Sequence, residues 1–274
     1  MRDLLEETQH DIERHMVALC GTGPVADGVQ YHLSTGGGRV RAQLGLEAAE
    51  ILGLGDQIAL ACACGPELLH NASLVHDDLQ DRDEMRRGQL AVWQRFGPAA
   101  AISIGDLMVS AAYAALASHP DPSRAILLSH DALSRTARGQ ARDLLRAEGS
   151  VAAYRAMVMD KTGALIALPV RLALAAGRAS GDASAVACGE ALAFAYQTLD
   201  DIADRDADRM SGRINLCALL NPAEDGVSLA QAAAREALDV ARRHAAEMPD
   251  GSGQPFCNLA DRMDSRLTEY ANAA

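Results

Sequence analysis

At 274 residues, 49% of them hydrophobic but only 3% aromatic, the chain can bury a core that Ala, Leu, Val and Ile must fill, which favours closely packed helices over sheets. Its 25 Lys plus Arg against 37 Asp plus Glu give a net charge of −12, which argues against nucleic-acid binding and requires local cations for any polyphosphate ligand. The six cysteines (20, 62, 64, 188, 217 and 257) lack zinc-site spacing, the N-terminus is charged and amphipathic, and no uncharged apolar stretch is long enough for a membrane span, so a soluble cytoplasmic protein is expected.

Helical periodicity runs nearly throughout, and residues 1–274 read as one all-α domain. Leu4, Leu5, Ile12, Met16 and Leu19 mark a first helix, ended by Gly21 to Pro24. Ser34 to Gly38 forms a break before a helix from Arg41 to Leu52. A longer apolar helix runs from Gln57 into His76-Asp77-Asp78-Leu79-Gln80-Asp81, and Arg86-Arg87-Gly88 closes that stretch. Further helices are predicted over Ala99–Ala117, Ser123–Arg146, Val151–Gly177 and Ala183–Asp204, with a kink at Pro169. Asp206 to Gly212 reads as a polar loop and Asn221-Pro222 as a break. Leu229–Met248 reads as a surface helix, Pro249 to Gly253 as a connector and Phe256–Ala271 as the last helix. No run reads as paired strands.

The chemistry concentrates in two Asp-Asp-x-x-Asp clusters, Asp77-Asp78-Leu79-Gln80-Asp81 and Asp200-Asp201-Ile202-Ala203-Asp204. On a helix, Asp77 and Asp81 share a face, as do Asp200 and Asp204. Without a cation such pairs repel and cost a few tenths of a kcal/mol. One such cluster in an acidic chain reads as a solvated helix end. Two with the same spacing, each after an apolar run, point to hard cations, with magnesium bridged to a polyphosphate as the natural occupant. Candidate anion ligands are Arg86 and Arg87, whose planar forks suit diphosphate, and Arg39 and Arg41 after three glycines. Lys161, the chain's only lysine, precedes Thr162 in an apolar stretch and reads either as a snorkelling side chain or as a phosphate ligand. Gln197 shares a helix face with Asp200, and His70 lies two turns before Asp77.

Taken in order, these residues resemble the all-trans isoprenyl diphosphate synthases, the polyprenyl synthetases. The resemblance is carried by Gly36-Gly-Gly-Arg-Val-Arg41, the segment His70 to Asp81, Arg86-Arg-Gly88, Gly105-Asp106, Gly139 to Leu144, Lys161-Thr-Gly163, Tyr196 to Asp204 and a tail from Leu259 to Arg266. It implies a helical bundle around a deep central cavity, of the class I isoprenoid synthase type. About three magnesium ions, an allylic prenyl diphosphate, isopentenyl diphosphate and a homodimer are also implied. Carried over by position, Asp77, Asp81, Asp200 and Asp204 match the metal ligands. Asp78 and Asp201 match auxiliary carboxylates, with Asp78 grouped in the first metal cluster. Arg86, Lys161 with the adjacent Thr162, and Gln197 match the allylic diphosphate site. Arg41, His70 and Arg87 match the isopentenyl diphosphate site, with Arg39 in reserve. Asp77, Asp81, Asp200, Lys161 and Arg86 are the expected catalytic group.

Two departures stand out. Gly38 occupies the position of a family lysine, and the loop after Asp204 is short, with Arg213 in place of a second lysine. The expected function is chain elongation. The alternatives are a terpene synthase that ionises an allylic diphosphate without isopentenyl diphosphate, and a non-catalytic prenyl-diphosphate-binding subunit. Small residues at Ala72 and Ser73 predict a product of C20 or longer.

Overall fold

The structure, a computed structural model, describes residues 2–145, 149–221 and 226–273. The helices in chain order are α1 (Arg2–Leu19), α2 (Pro24–Ser34), α3 (Val40–Ile51) and α4 (Asp56–Asp81). A two-stranded hairpin, β1 (Met85–Arg86) with β2 (Gln89–Leu90), precedes α5 (Val92–Phe96) and α6 (Pro98–Ala115). Then come α7 (Pro122–Leu145), α8 (Val151–Val158), a π-helical turn (Met159–Gly163) and α9 (Ala164–Gly177). The rest is α10 (Asp182–Ala203), α11 (Arg205–Ser211), α12 (Leu216–Leu220), α13 (Val227–Ala246) and α14 (Gln254–Ala273).

The chain divides into two compact units. Met1–His130 with Leu168–Arg178 form one, and Asp131–Ala167 with Ala179–Ala274 the other. In the first, α4 packs against α3 and α6 and buries Ala61, Leu68, Leu69, Ala72 and Val75. Full burial of Leu68 and Leu69 contributes about 1.5–3 kcal/mol each. In the second, α10 packs against α13, α14 and the π turn. The buried stripe of α13 is mostly alanine, Ala230, Ala234, Ala237, Ala241 and Ala245 with Leu238, which lets the two backbones approach closely.

Several expectations are corrected. Gly23-Pro24 starts α2 rather than only ending α1, because proline at the first helical position loses no helical hydrogen bond. The stretch after Asp81 contains paired strands, though of two residues each. The predicted polar loop from Asp206 is helix α11. Asp206 and Asp208 in its first turn suit the helix dipole, and left-handed Gly212 ends it. Val151–Gly177 is helical, but its α-helical ladder is interrupted at Met159–Gly163, before Pro169 rather than at it. Among the described residues, two helical stretches, Asp56–Asp81 and Pro98–Ser118 (α6 with the short turn after it), are long and apolar enough to cross a bilayer, and the first is mostly buried within its unit. The expected helix end at Arg146 and the break at Pro222 lie outside the described residues.

Candidate functional site

In the first unit, α4 ends by presenting its carboxylates in three environments. Asp77 is half-buried, Asp81 is exposed and Asp78 is fully buried. Arg82 closes the helix in the left-handed region, with φ 60°. The hairpin then doubles back through Arg87 and Gly88, whose φ values of 52° and 76° suit the type I′ turns of tight hairpins. Trp93 Nε1 donates to Asp83 O at 2.8 Å and steadies its base.

This return path brings Arg86 onto Asp78, with Nε donating to Oδ1 at 2.9 Å and a second guanidinium nitrogen on the same oxygen. Asp78 therefore departs from its grouping with the metal ligands. Its buried carboxylate holds Arg86, while its Oδ2 has no hydrogen-bond partner. Burial pushes the Asp78 pKa up, and the Arg86 guanidinium opposes that shift.

Arg87 lies on the glycine turn and donates to Gly36 O. Gly37 has φ 125°, a conformation that strains any other residue, and a Cβ there would sit 2.6 Å from the Arg87 guanidinium carbon and push that side chain aside. Arg39 is a correction to its expected anion role. It is 2% exposed, its Nε lies 2.9 Å from Glu13 Oε1, and it donates to Gly36 O at 3.0 Å and Leu33 O at 2.6 Å. Its fork is engaged in holding the turn.

Arg41, Arg87 and Arg86 form a cationic nest that acts electrostatically on the half-buried His70; burial first, and then Arg41 and Arg87, push its pKa well below the usual range. His32 is pushed down to about 3 by burial, with Arg87 adding to the effect. Both rings are neutral at pH 7, so the nest's positive charge comes from the arginines. It is a strong local cationic site on an acidic chain.

The second unit places Lys161 by a close crossing. A Cβ on Gly139 of α7 would lie 2.3 Å from Lys161 N, so glycine is what lets α7 touch the π turn. Lys161 Nζ meets Asp143 Oδ2 at 2.6 Å. Arg135 ties Asp160 at 2.9 Å to Glu190 at 2.5 Å, and Arg142 adds a second contact to Asp160 at 2.6 Å. Thr162 is half-buried beside Lys161.

At the end of α10, Asp200 is half-buried, Asp204 is exposed and Asp201 is 3% exposed. Asp201 accepts from Tyr154 Oη at 2.8 Å, Gln197 Nε2 at 3.1 Å and Leu216 N at 2.6 Å. Asn215 donates to Asp201 O at 2.7 Å and Asp208 Oδ2 at 2.9 Å. Gln197, which shares a helix face with Asp200, thus has its side-chain partner in the neighbouring Asp201. Asp200 is raised to about 6 by burial, with Asp204 and Asp201 adding to the rise and Arg266 of α14 opposing it. Asp201 is also raised to about 6 by burial, against its three donors. Arg213 is exposed after Gly212.

Asp143, Tyr154, Asn215 and Arg266 were not singled out in the sequence. Only the intact Gly139 to Leu144 and Leu259 to Arg266 motifs marked Asp143 and Arg266.

Hard cations suit these donors. Among the described residues no three His, Cys, Asp or Glu side chains converge into a ready metal cage. The carboxylates left open to a cation are the exposed Asp81 and Asp204, the half-buried Asp77, and Asp200, whose negative charge is poorly solvated. That matches magnesium, which is commonly held by few carboxylates plus substrate phosphate oxygens.

A family model for polyprenyl synthetases matches residues 24–214. The chain is 32% identical to the geranylgeranyl diphosphate synthase of Methanosarcina mazei over 73% of its own length and 68% of that protein's. It is 33% identical to the farnesyl diphosphate synthase of Escherichia coli over 84% of each chain. It spans between 48% and 60% of the length of several further curated relatives. The geranylgeranyl pyrophosphate synthetase structure from Geoglobus acetivorans superposes with a TM-score of 0.85 at 25% identity, covering 94% of this chain and 98% of that one. A polyprenyl synthase from Caulobacter crescentus, solved with calcium and isoprenyl diphosphate, superposes with a TM-score of 0.85 at 20% identity over 96% of both chains.

Proposed function

The chain belongs to the polyprenyl synthetase family, and on that premise we propose that it joins an allylic prenyl diphosphate to isopentenyl diphosphate, extending an all-trans prenyl chain. Its fold is the all-α fold of the class I isoprenoid synthases. The observation that carries elongation is the nest of Arg41, Arg86 and Arg87 around a neutral His70, because such a nest suits a diphosphate.

In this reading, the C1–O bond of the allylic substrate breaks and pyrophosphate leaves. The double bond of isopentenyl diphosphate attacks C1, and the proton lost from its C2 goes to the released pyrophosphate. Asp77 with Asp81, and Asp200 with Asp204, are the residues that would hold magnesium, which when bound would neutralise the charge that builds on the leaving group. About three ions are expected. Arg86, oriented by Asp78, donates a planar fork to the allylic diphosphate. Lys161 adds a point charge, exchanging its Asp143 contact for a phosphate oxygen, and Gln197 adds its amide edge. Arg41, Arg87 and the neutral His70 hold isopentenyl diphosphate.

A pyrophosphate-release assay with and without isopentenyl diphosphate tests this. Release that requires both substrates supports elongation. Release from the allylic substrate alone, with hydrocarbons or alcohols as products, replaces it with a terpene synthase. No release with any allylic diphosphate leaves a binding subunit.

Gly38 allows a sharper measurement. Its φ lies outside the left-handed region, and a Cβ there meets only Val40 Cγ2, at 3.4 Å, so lysine fits. Gly38→Lys is expected to lower the Michaelis constant for isopentenyl diphosphate about tenfold with turnover retained, the worth of one charge-assisted contact. An unchanged constant refutes a weakened homoallylic site.

We assign a product of C20 or longer. Ala72 is 1% exposed within α4, five residues before Asp77. Ala72→Phe is expected to shorten the product, at about 1–3 kcal/mol of overpacking cost. A C15 product from both proteins in product chromatography would place the chain-length floor elsewhere. A homodimer is the proposed assembly, supported by Ile102, Ile126 and Leu127, exposed in the first unit. Six free cysteines, five of them buried, suit a reducing, cytoplasmic setting.

A further inference from the structure

Beneath the arginine nest runs a buried polar chain that the proposed reaction does not use. Glu67 of α4 is 2% exposed, Asn71 0% and His32 of α2 1%. Glu67 Oε2 accepts from the backbone N–H of Ala42 at 3.2 Å, in the first turn of α3. Its other oxygen, Oε1, accepts from Asn71 Nδ2 at 3.1 Å, and Asn71 Nδ2 also donates to Glu67 O at 2.8 Å. With that nitrogen committed, Asn71 Oδ1 faces His32 Nε2 at 3.1 Å. The neutral His32 must therefore carry its proton on Nε2.

Three helices meet in this chain, and all bear on the segment Gly36–Arg41. Glu67 grips the start of α3, which carries Arg41. His32 lies in the last turn of α2, just before the glycine turn begins. Gly36 O in that turn receives both Arg39 and Arg87. His70 is the neighbour of Asn71 on α4. Arg41 and His70 are thus mounted on backbone that Glu67, Asn71 and His32 brace, and Arg87, itself on the hairpin turn, is tied to the same segment through Gly36 O.

We propose that Glu67, Asn71 and His32 are positioning residues for the isopentenyl diphosphate site, setting Arg41 and Arg87 against His70 in a chain that has glycine, not lysine, at 38. The inference rests on the elongation reading and deepens it. Buried polar groups cost stability unless every member is satisfied, so a chain tied this closely to the anion nest has to hold a defined geometry.

The test measures isopentenyl diphosphate binding by calorimetry without metal, and binding of a non-ionisable allylic diphosphate analogue with magnesium. Glu67→Gln keeps the volume but turns one of its two accepting contacts donor-to-donor. It is expected to weaken isopentenyl diphosphate about tenfold, as for one misplaced charge-assisted phosphate contact, and to leave the allylic analogue within about twofold. His32→Leu should weaken the same ligand about fivefold, on the same arithmetic. His32→Gln, whose amide can still donate to Asn71, should restore it.

Unchanged isopentenyl diphosphate binding in both Glu67→Gln and His32→Leu overturns the inference, as does parallel weakening of both ligands, which marks a general packing role. If Glu67→Gln does not fold, the His32 pair decides alone. If wild type does not bind isopentenyl diphosphate, the elongation reading fails, and the same variants titrated with inorganic pyrophosphate then decide the positioning role.

Discussion

Asp81→Ala and Asp200→Ala are each expected to slow pyrophosphate release by roughly 10²- to 10⁴-fold, the loss of about 3–5 kcal/mol of leaving-group stabilisation. The fold should survive both changes. Asp81 is exposed in the last turn of α4, where a negative charge opposes the helix dipole, so its removal should leave melting unchanged or raise it slightly without metal. Asp200 behaves similarly for another reason. Its pKa is raised to about 6, so the folded state holds a proton that the unfolded chain releases. Stability from this group is therefore greatest at low pH and declines as pH rises from about 4 to 6. A bound cation removes that penalty. Magnesium stabilisation measured with a diphosphate should accordingly weaken as pH falls through 6, and that dependence should shrink in Asp200→Asn. Near-normal turnover in both alanine variants would falsify the metal assignment.

The largest stability loss is expected at the neighbouring residue. Asp201→Ala leaves Tyr154 Oη, Gln197 Nε2 and the Leu216 N–H without their acceptor. At about 1–3 kcal/mol per orphaned buried donor, and with Gln197 only half-buried and free to turn to water, the cost is about 3–6 kcal/mol. For a domain of this size that lowers the melting temperature by roughly 10 °C or more. Asp201→Asn should recover part of it, since one acceptor oxygen remains. Tyr154→Phe should cost only about 1.5–3 kcal/mol, the usual worth of one hydrogen bond to a charged group. If Asp201→Ala melts within a degree or two of wild type while losing turnover, Asp201 acts on substrate or metal rather than on the frame. The two adjacent aspartates thus divide the work, with Asp200 carrying the poorly solvated charge and Asp201 locking α8, α10 and α12 together.

Identical residue types in the two clusters hid this division. Spacing puts Asp77 and Asp81 on one face with Asp78 beside them, but it does not show that α4 buries only Asp78 and hands it to Arg86. Which carboxylate turns inward depends on the hairpin that returns Arg86, and a two-residue strand leaves almost no periodic signal. Arg39 and Arg41 looked equivalent after three glycines. A left-handed Arg39, with φ 46°, sends its fork to Glu13 and the turn carbonyls and leaves Arg41 for the nest. Lys161 was legible by its solitude and its motif. Its partner Asp143 was not, because the contact depends on Gly139 letting two helices approach to backbone distance.

The sequence by itself determined the helical class, the family, the two acidic clusters and the roster of cations, because 3.6-residue periodicity, doubled i,i+4 carboxylates and ordered motifs are local properties of the chain. Only the tertiary structure decided which of those charged groups are presented and which are spent inside. That choice is made by desolvation and by partners distant in sequence, such as Arg86 on Asp78, Tyr154 and Leu216 on Asp201, and His32 reaching Glu67 through Asn71. Burying a charge costs several kcal/mol unless a partner meets it, so the fold, rather than the residue type, sorts an aspartate spent on the frame from one left open to a ligand.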